Sequence, residues 1–175
     1  REYYSCVPEL FSYFLGYFRV NYDIYNWKLL IQQLFHNPGE IPVASRGQLI
    51  DDAFELAQMD IINYSIPLSL TKYLTRKESN YSPWLTALNS LAEIRFIINN
   101  YEYTGAFEKY MTNLIKYKFD SLGTKEKNNE SQNDKILRWK LIQVACELRF
   151  ESCLKWAQSE FSTWMEQADP DNKNP

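Results

Sequence analysis

Apolar residues recur at helical spacing over most of the chain, and the clearest case is Arg46 to Gln58, RGQLIDDAFELAQ. Leu49, Ile50, Ala53, Phe54, Leu56 and Ala57 form a stripe about half the cylinder wide, and Ser45 stands where it can cap the first turn. Arg46, Asp51, Asp52 and Glu55 fall outside the stripe. Arg46 can reach the Asp51 edge of its own helix or a carboxylate on a neighbour, and Asp51 with Asp52 reads as a solvated face. As a catalytic carboxylate pair they are poor, because adjacent helical residues point roughly 100° apart and do not easily flank one scissile bond.

The same rhythm places the other elements. Residues 1–16 are aromatic-rich and punctuated by Pro8 and Gly16; Leu10 to Leu15 fits either a short helix or a buried strand. Tyr17 to Val20 alternates as a strand edge does, and Asn21 or Asp23 can cap a helix over Ile24–Phe35 that buries Ile24, Trp27, Leu30, Ile31 and Leu34. Pro38, Gly39 and Pro42 forbid its continuation. Ser65–Glu78 predicts a helix capped by Ser65, with Pro67 in the first turn and basic residues in the last. Pro83 opens a longer helix that buries Trp84, Ala87, Leu88, Leu91, Ile94 and Ile97 or Ile98. Gly105–Phe119 follows, with Phe107, Tyr110, Met111, Leu114 and Ile115 inward, then a solvated loop over Asp120–Asp134. Two last helices cover Asp134–Leu148 and Glu151–Glu166.

These stripes predict an all-α fold of stacked antiparallel helix pairs, an α-solenoid-like superhelix with room for a short N-terminal strand. The chain divides into an irregular segment at 1–20, a helical domain at 21–167 and a tail at 168–175. No fixed-period repeat accompanies the stacking.

Composition narrows the chemistry. With 175 residues, 45% hydrophobic, and only 5 Gly and 7 Pro, the chain is one helical domain's worth. A net charge of −3 leaves no basic stripe for phosphate contacts, which argues against nucleic acid as a partner. No run of eighteen apolar residues is present, and the N-terminus lacks a basic stretch followed by an uninterrupted apolar one and a small-residue cleavage site, so neither a membrane span nor an export signal is expected in the chain. His36 is the only histidine, whereas a zinc site wants several His or Cys at defined spacing. A nucleophile with its base, a phosphate-cradling glycine loop and a ligand cluster are all lacking. Cys6 stands alone; Cys146 and Cys153 bracket a helix-to-helix turn, and on their own fit either a reduced pair or a bridge. Asn63, Asn80 and Asn129 each begin a glycosylation triplet. Asn129, in the polar loop, is the best placed of them, and Pro83 directly after Ser82 makes Asn80 the least suited.

Four stretches, in order, resemble the helical C-terminal domain of the aminopeptidase N family of zinc metallopeptidases. SRGQLIDDAFELAQ is similar to its Asn-Arg-Ala-Gln-Leu-Ile-Asp-Asp-Ala segment, with Ser45 for Asn and Gly47 for Ala; the glycine weakens the first turn by about 1 kcal/mol. GYFRVNYDIYNW resembles the passage entering that domain, with Phe18 for a Tyr. LSLTKYLTRKESNYSPWLTALNSL resembles the family's Leu-x-Leu-x-x-Tyr-Leu to Pro-Trp-x-x-Ala-Leu passage, and ACELRFESC its Ala-Cys to Cys hairpin, with FSTWME resembling the helix end beyond. The likeness covers about Gly16 to Glu166.

That resemblance implies a domain that arches over the catalytic domain of the same parent chain and admits short peptides to its chamber. Family members hold zinc with a His-Glu-x-x-His helix and a downstream Glu. One histidine cannot build that site, so no cofactor is expected in this chain and zinc belongs to the parent. The resemblance further implies a Cys146–Cys153 disulfide with Cys6 unpaired, an extracellular or lumenal location on a membrane-anchored parent, and the dimer contacts of some relatives. Arg95, interrupting an apolar run, is a candidate for holding a peptide's C-terminal carboxylate, with Lys109 and Lys116 beside it in the same reading. Its bland alternative is an ordinary amphipathic arginine. The competing function is a free-standing scaffold for a protein or peptide partner.

Overall fold

The computed structural model describes residues 31–167. Tyr17–Val20, the start of the first expected helix, Cys6 and the tail at 168–175 lie outside the described residues. The chain falls into two units, one ending at Ile41 and one beginning at Pro42. Of the first, 31–36 is helical and a 3-10 turn at Pro38–Glu40 follows, tied back by Gln33 Nε2 donating to Glu40 Oε2 at 3.0 Å.

The second unit, among its described residues, is helical throughout: α1 (Val43–Gln58), α2 (Ser65–Leu70), α3 (Leu74–Lys77), α4 (Tyr81–Ile98), α5 (Thr104–Leu122), α6 (Gln132–Glu147) and α7 (Glu151–Met165). The helix expected from Arg46 begins earlier, and Ser45 does not cap it. Pro42, with extended ψ of 142°, precedes the first turn, and its carbonyl accepts from Arg46 N at 3.0 Å. Ser65 likewise does not cap α2; Asn63 Oδ1 accepts from Ser65 N instead, at 2.8 Å.

The helix expected over Ser65–Glu78 is broken by a 3-10 turn at Thr71–Tyr73. Leu68 C=O, where the break starts, accepts from Thr71 Oγ1 at 2.9 Å and from Tyr110 Oη at 3.1 Å. Side chains thus take over an acceptor that a continuous α-helix would give to its own backbone. The long loop expected from Asp120 is shorter than its composition suggests, because α5 runs on to Leu122. Gly123, with φ of +69°, ends it by donating to Phe119 C=O at 2.8 Å.

Helix directions follow from side-chain neighbours. A Cβ built on Gly47 in α1 would lie 3.4 Å from Thr86 Oγ1 and 4.0 Å from Pro83 Cα at the start of α4, while Gln58 and Ile97 near the helix ends line one groove. α1 and α4 therefore run the same way, and their mutual packing is the most extensive in the unit. Arg95 near the end of α4 meets Glu147 at the end of α6, so α6 shares that direction, whereas Glu108 early in α5 meets the same arginine and α5 runs back. The result is two layers of alternating direction, the arrangement of an α-solenoid.

The core lies between the layers. α1 contributes Leu49, Ile50, Ala53, Phe54 and Ala57; α4 contributes Trp84, Ala87, Leu88 and Leu91, all fully buried; α5 and α6 add Met111, Ile115, Leu137 and Leu141. The inward stripe of α4 stops at Leu91. Ile94 and Ile98 are partly covered and Ile97 is 58% exposed. Leu56 and Tyr110 are also only partly covered.

One substitution tests this packing. Because 3.4 Å to Thr86 Oγ1 is ordinary contact, Gly47→Ala should raise the unfolding free energy by about 0.5–1 kcal/mol in urea titration, through the lost backbone freedom of glycine. A loss of stability would show that Thr86 cannot adjust.

Candidate functional site

Two features stand on α1 and α4, a buried ion pair and a groove. The first is built on Glu78, whose side chain is 1% exposed. Arg46 meets it with a two-pronged pair, Nε to Oε2 at 2.8 Å and Nη2 to Oε1 at 3.2 Å. Tyr73 Oη donates to Oε2 at 3.1 Å, Asn80 N to Oε1 at 2.8 Å, and Trp84 Nε1 to the Glu78 carbonyl at 3.3 Å. Every lone-pair direction of the carboxylate thus finds a donor, the condition under which a buried ion survives desolvation. Burial, and then the adjacent Glu78 charge, push the Tyr73 phenol far above its usual range, so it stays a neutral donor. Arg46 finds its carboxylate on a neighbour, as one of the two sequence alternatives allowed; which carboxylate carried no local signal, since it lies 32 residues on.

The second feature is a groove of about 250 Å³ between α1 and α4. Asp51, Glu55 and Glu93 give it negative charge; Phe54, Tyr64 and Ile97 give it apolar wall, and no basic residue lines it. Burial raises the Glu55 carboxyl above its ordinary range, reinforced by the charges of Asp51, Asp52 and Glu93. Asp52 is raised by burial too, partly offset by Gln48 Nε2 donating to it at 2.7 Å. Such a surface favours a cation or a basic side chain and repels a carboxylate.

Arg95 stands at the junction of three helices. Its Nη1 donates to Glu147 Oε2, and its Nη2 to Glu108 Oε1 and to the Glu147 carbonyl, all at 3.1 Å. A peptide carboxylate arriving there would meet both side-chain carboxylates. Lys109 is exposed, and Lys116 pairs with Asp120 at 3.3 Å within α5.

Cys146 and Cys153 are joined by a disulfide with Cα atoms 5.3 Å apart. The turn between them carries Arg149 at φ of +60°, where Phe150 N donates to Ala145 C=O at 2.9 Å and Arg149 N to Cys146 C=O at 3.0 Å, closing α6 so that α7 folds back. Phe150 then meets Phe119 of α5 edge-on, centroids 5.6 Å apart. Asn63 and Asn129 are exposed and Asn80 is half-buried as the N-cap of α4, its Oδ1 accepting from Ser82 N at 3.1 Å. His36 is exposed, and among the described residues no three His, Cys, Asp or Glu side chains cluster as metal ligands would. No helix among them is long and apolar enough to cross a membrane.

Against known families, residues 14–175 match the model of the ERAP1-like C-terminal domain. The chain belongs to that family. It is a C-terminal domain of the aminopeptidase N family, as relatives of three kinds also indicate. It is 33% identical over 156 residues to the thyrotropin-releasing hormone-degrading ectoenzyme of Rattus norvegicus, covering 86% of this chain and 14% of that protein. It is 35% identical over 167 residues to aminopeptidase Q of Felis catus, covering 91% and 16%. Aminopeptidase N of Oryctolagus cuniculus is 33% identical over 164 residues, covering 91% and 17%. The chain thus spans about a seventh to a sixth of the length of these curated relatives.

Breaking the buried pair from one side, with Glu78→Ala, should lower the unfolding free energy by about 3–5 kcal/mol, whereas replacing Arg46 and Glu78 together by apolar residues of similar volume should restore most of it. A double-mutant cycle by chemical denaturation measures both. In the groove, the folded-state Glu55 carboxyl titrates above its unfolded value, so its ionisation opposes folding at neutral pH and that penalty vanishes once pH falls below both values. Glu55→Gln should therefore stabilise the domain at pH 7, with the gain shrinking through the acid range in parallel denaturation curves.

Proposed function

We propose that this chain is the non-catalytic helical domain of an extracellular or lumenal zinc aminopeptidase, capping the active-site chamber and restricting it to short peptides for N-terminal residue removal. The family match over residues 14–175 carries the reading. Its physical support is rigidity. A wall that sorts substrates by size has to resist deformation, and here a buried four-donor carboxylate locks α1 to α4 while a disulfide closes α6 on α7. The lone histidine leaves the chain without the residues of a His-Glu-x-x-His centre, so zinc and the hydrolytic step belong to the parent's catalytic domain, the partner proposed for this one. The bridge fits an oxidising compartment. The acidic lining of the α1–α4 groove suits basic side chains of a peptide within such a chamber better than its terminal carboxylate.

A substrate series tests this reading on the full-length parent. Amino-acid anilides and short peptides should be turned over, while the free N-terminus of a folded protein should resist. Equal rates on the two would overturn the chamber reading. Cys146→Ser with Cys153→Ser should lower domain stability by about 2–3 kcal/mol in the same protein, measured as the domain's unfolding transition.

A further inference from the structure

The three glycosylation triplets differ in what surrounds their asparagines. An N-linked glycan is bulky and hydrophilic and has to project into water from the side-chain nitrogen. Asn63 sits in the exposed turn between α1 and α2, and its Oδ1 is engaged by Ser65 N at 2.8 Å, which leaves Nδ2 as the group to be modified. Around it in sequence stand Met59, Ile61, Tyr64 and Ile66, between 37% and 54% exposed. A sugar at Asn63 would shield this run of uncovered apolar side chains. Asn129 lies in the α5–α6 loop with φ of +61°, exposed, next to Glu130, whose carboxylate is buried against Arg138. That neighbour anchors the loop and leaves Asn129 outside it.

Asn80 is placed differently. Its backbone N–H donates to the buried Glu78 carboxylate, its side chain caps α4, and Pro83 follows its Ser82 within the helix's first turn. A glycan there would stand on a buried ion pair and displace the cap of α4.

We infer that Asn63 and Asn129 are N-glycosylated and Asn80 is not, an assignment that rests on the extracellular or lumenal reading above. The test uses the full-length parent secreted or displayed by a eukaryotic host. Enzymatic release of N-glycans in heavy-oxygen water converts each occupied asparagine to labelled aspartate, read by peptide mass spectrometry. Label at Asn63 and Asn129 and none at Asn80 is expected. Asn63→Gln and Asn129→Gln should each remove one glycan's worth of mass, and Ser82→Ala should remove none. Label at Asn80, or its absence from either of the other two, overturns the assignment. Mapping cysteines without reductant in the same sample separates the two levels of failure. A Cys146–Cys153 bridge without label sinks this inference alone, while free thiols without label sink the compartment reading with it.

Discussion

The second unit is organised by the cost of burying Glu78. An ionised carboxylate taken out of water loses several kcal/mol of solvation, and only well-directed donors repay it. Here the donors come from three segments: Arg46 on α1, Tyr73 in the 3-10 turn, and the Asn80 amide at the head of α4. Shifting any of the three along its axis would strand a buried charge. The pair therefore sets register as well as stability, and the apolar side chains of α1 and α4 interlock in the one alignment that satisfies it.

Gly47 is the steric counterpart of that lock. One residue after Arg46 it faces Ser82, Pro83 and Thr86, so the two helix starts approach closely just where the charges are sealed in. Farther along the same helices the surfaces diverge, and the groove opens where acidic side chains replace apolar ones. Close packing at one end and charged space at the other follow from a single parallel pair. At the far side of the stack the Arg95 bridges are partly exposed and worth less individually, and the turn from α6 to α7 is held covalently.

For a domain of this family, that distribution supports the wall proposed for it. The described residues offer rigid surfaces, a negatively charged groove and turns that point outward, and the chemistry proposed for the parent needs none of its atoms from them. The shifted carboxyls Asp52 and Glu55 lie on one face of α1, and Glu55 shares the groove with Asp51 and Glu93.

Most helix positions were legible in the sequence because helical periodicity is local: α1, α4, α5, α6 and α7 appear within a few residues of where their apolar stripes place them. So were the motifs of the family, since they are strings of neighbours. Helix starts were less legible: α1 begins after Pro42 with no side-chain cap, and at α2 Asn63 supplies the acceptor that Ser65 could have supplied by type. What only the tertiary structure decided is which distant groups meet: Glu78 for Arg46 across 32 residues, Tyr110 breaking the helix at Thr71, Glu108 and Glu147 around Arg95. The reason is physical. A residue's spacing along the chain fixes which face of its own helix it occupies, but the partner on that face is chosen by packing, where burial decides what each charge is worth.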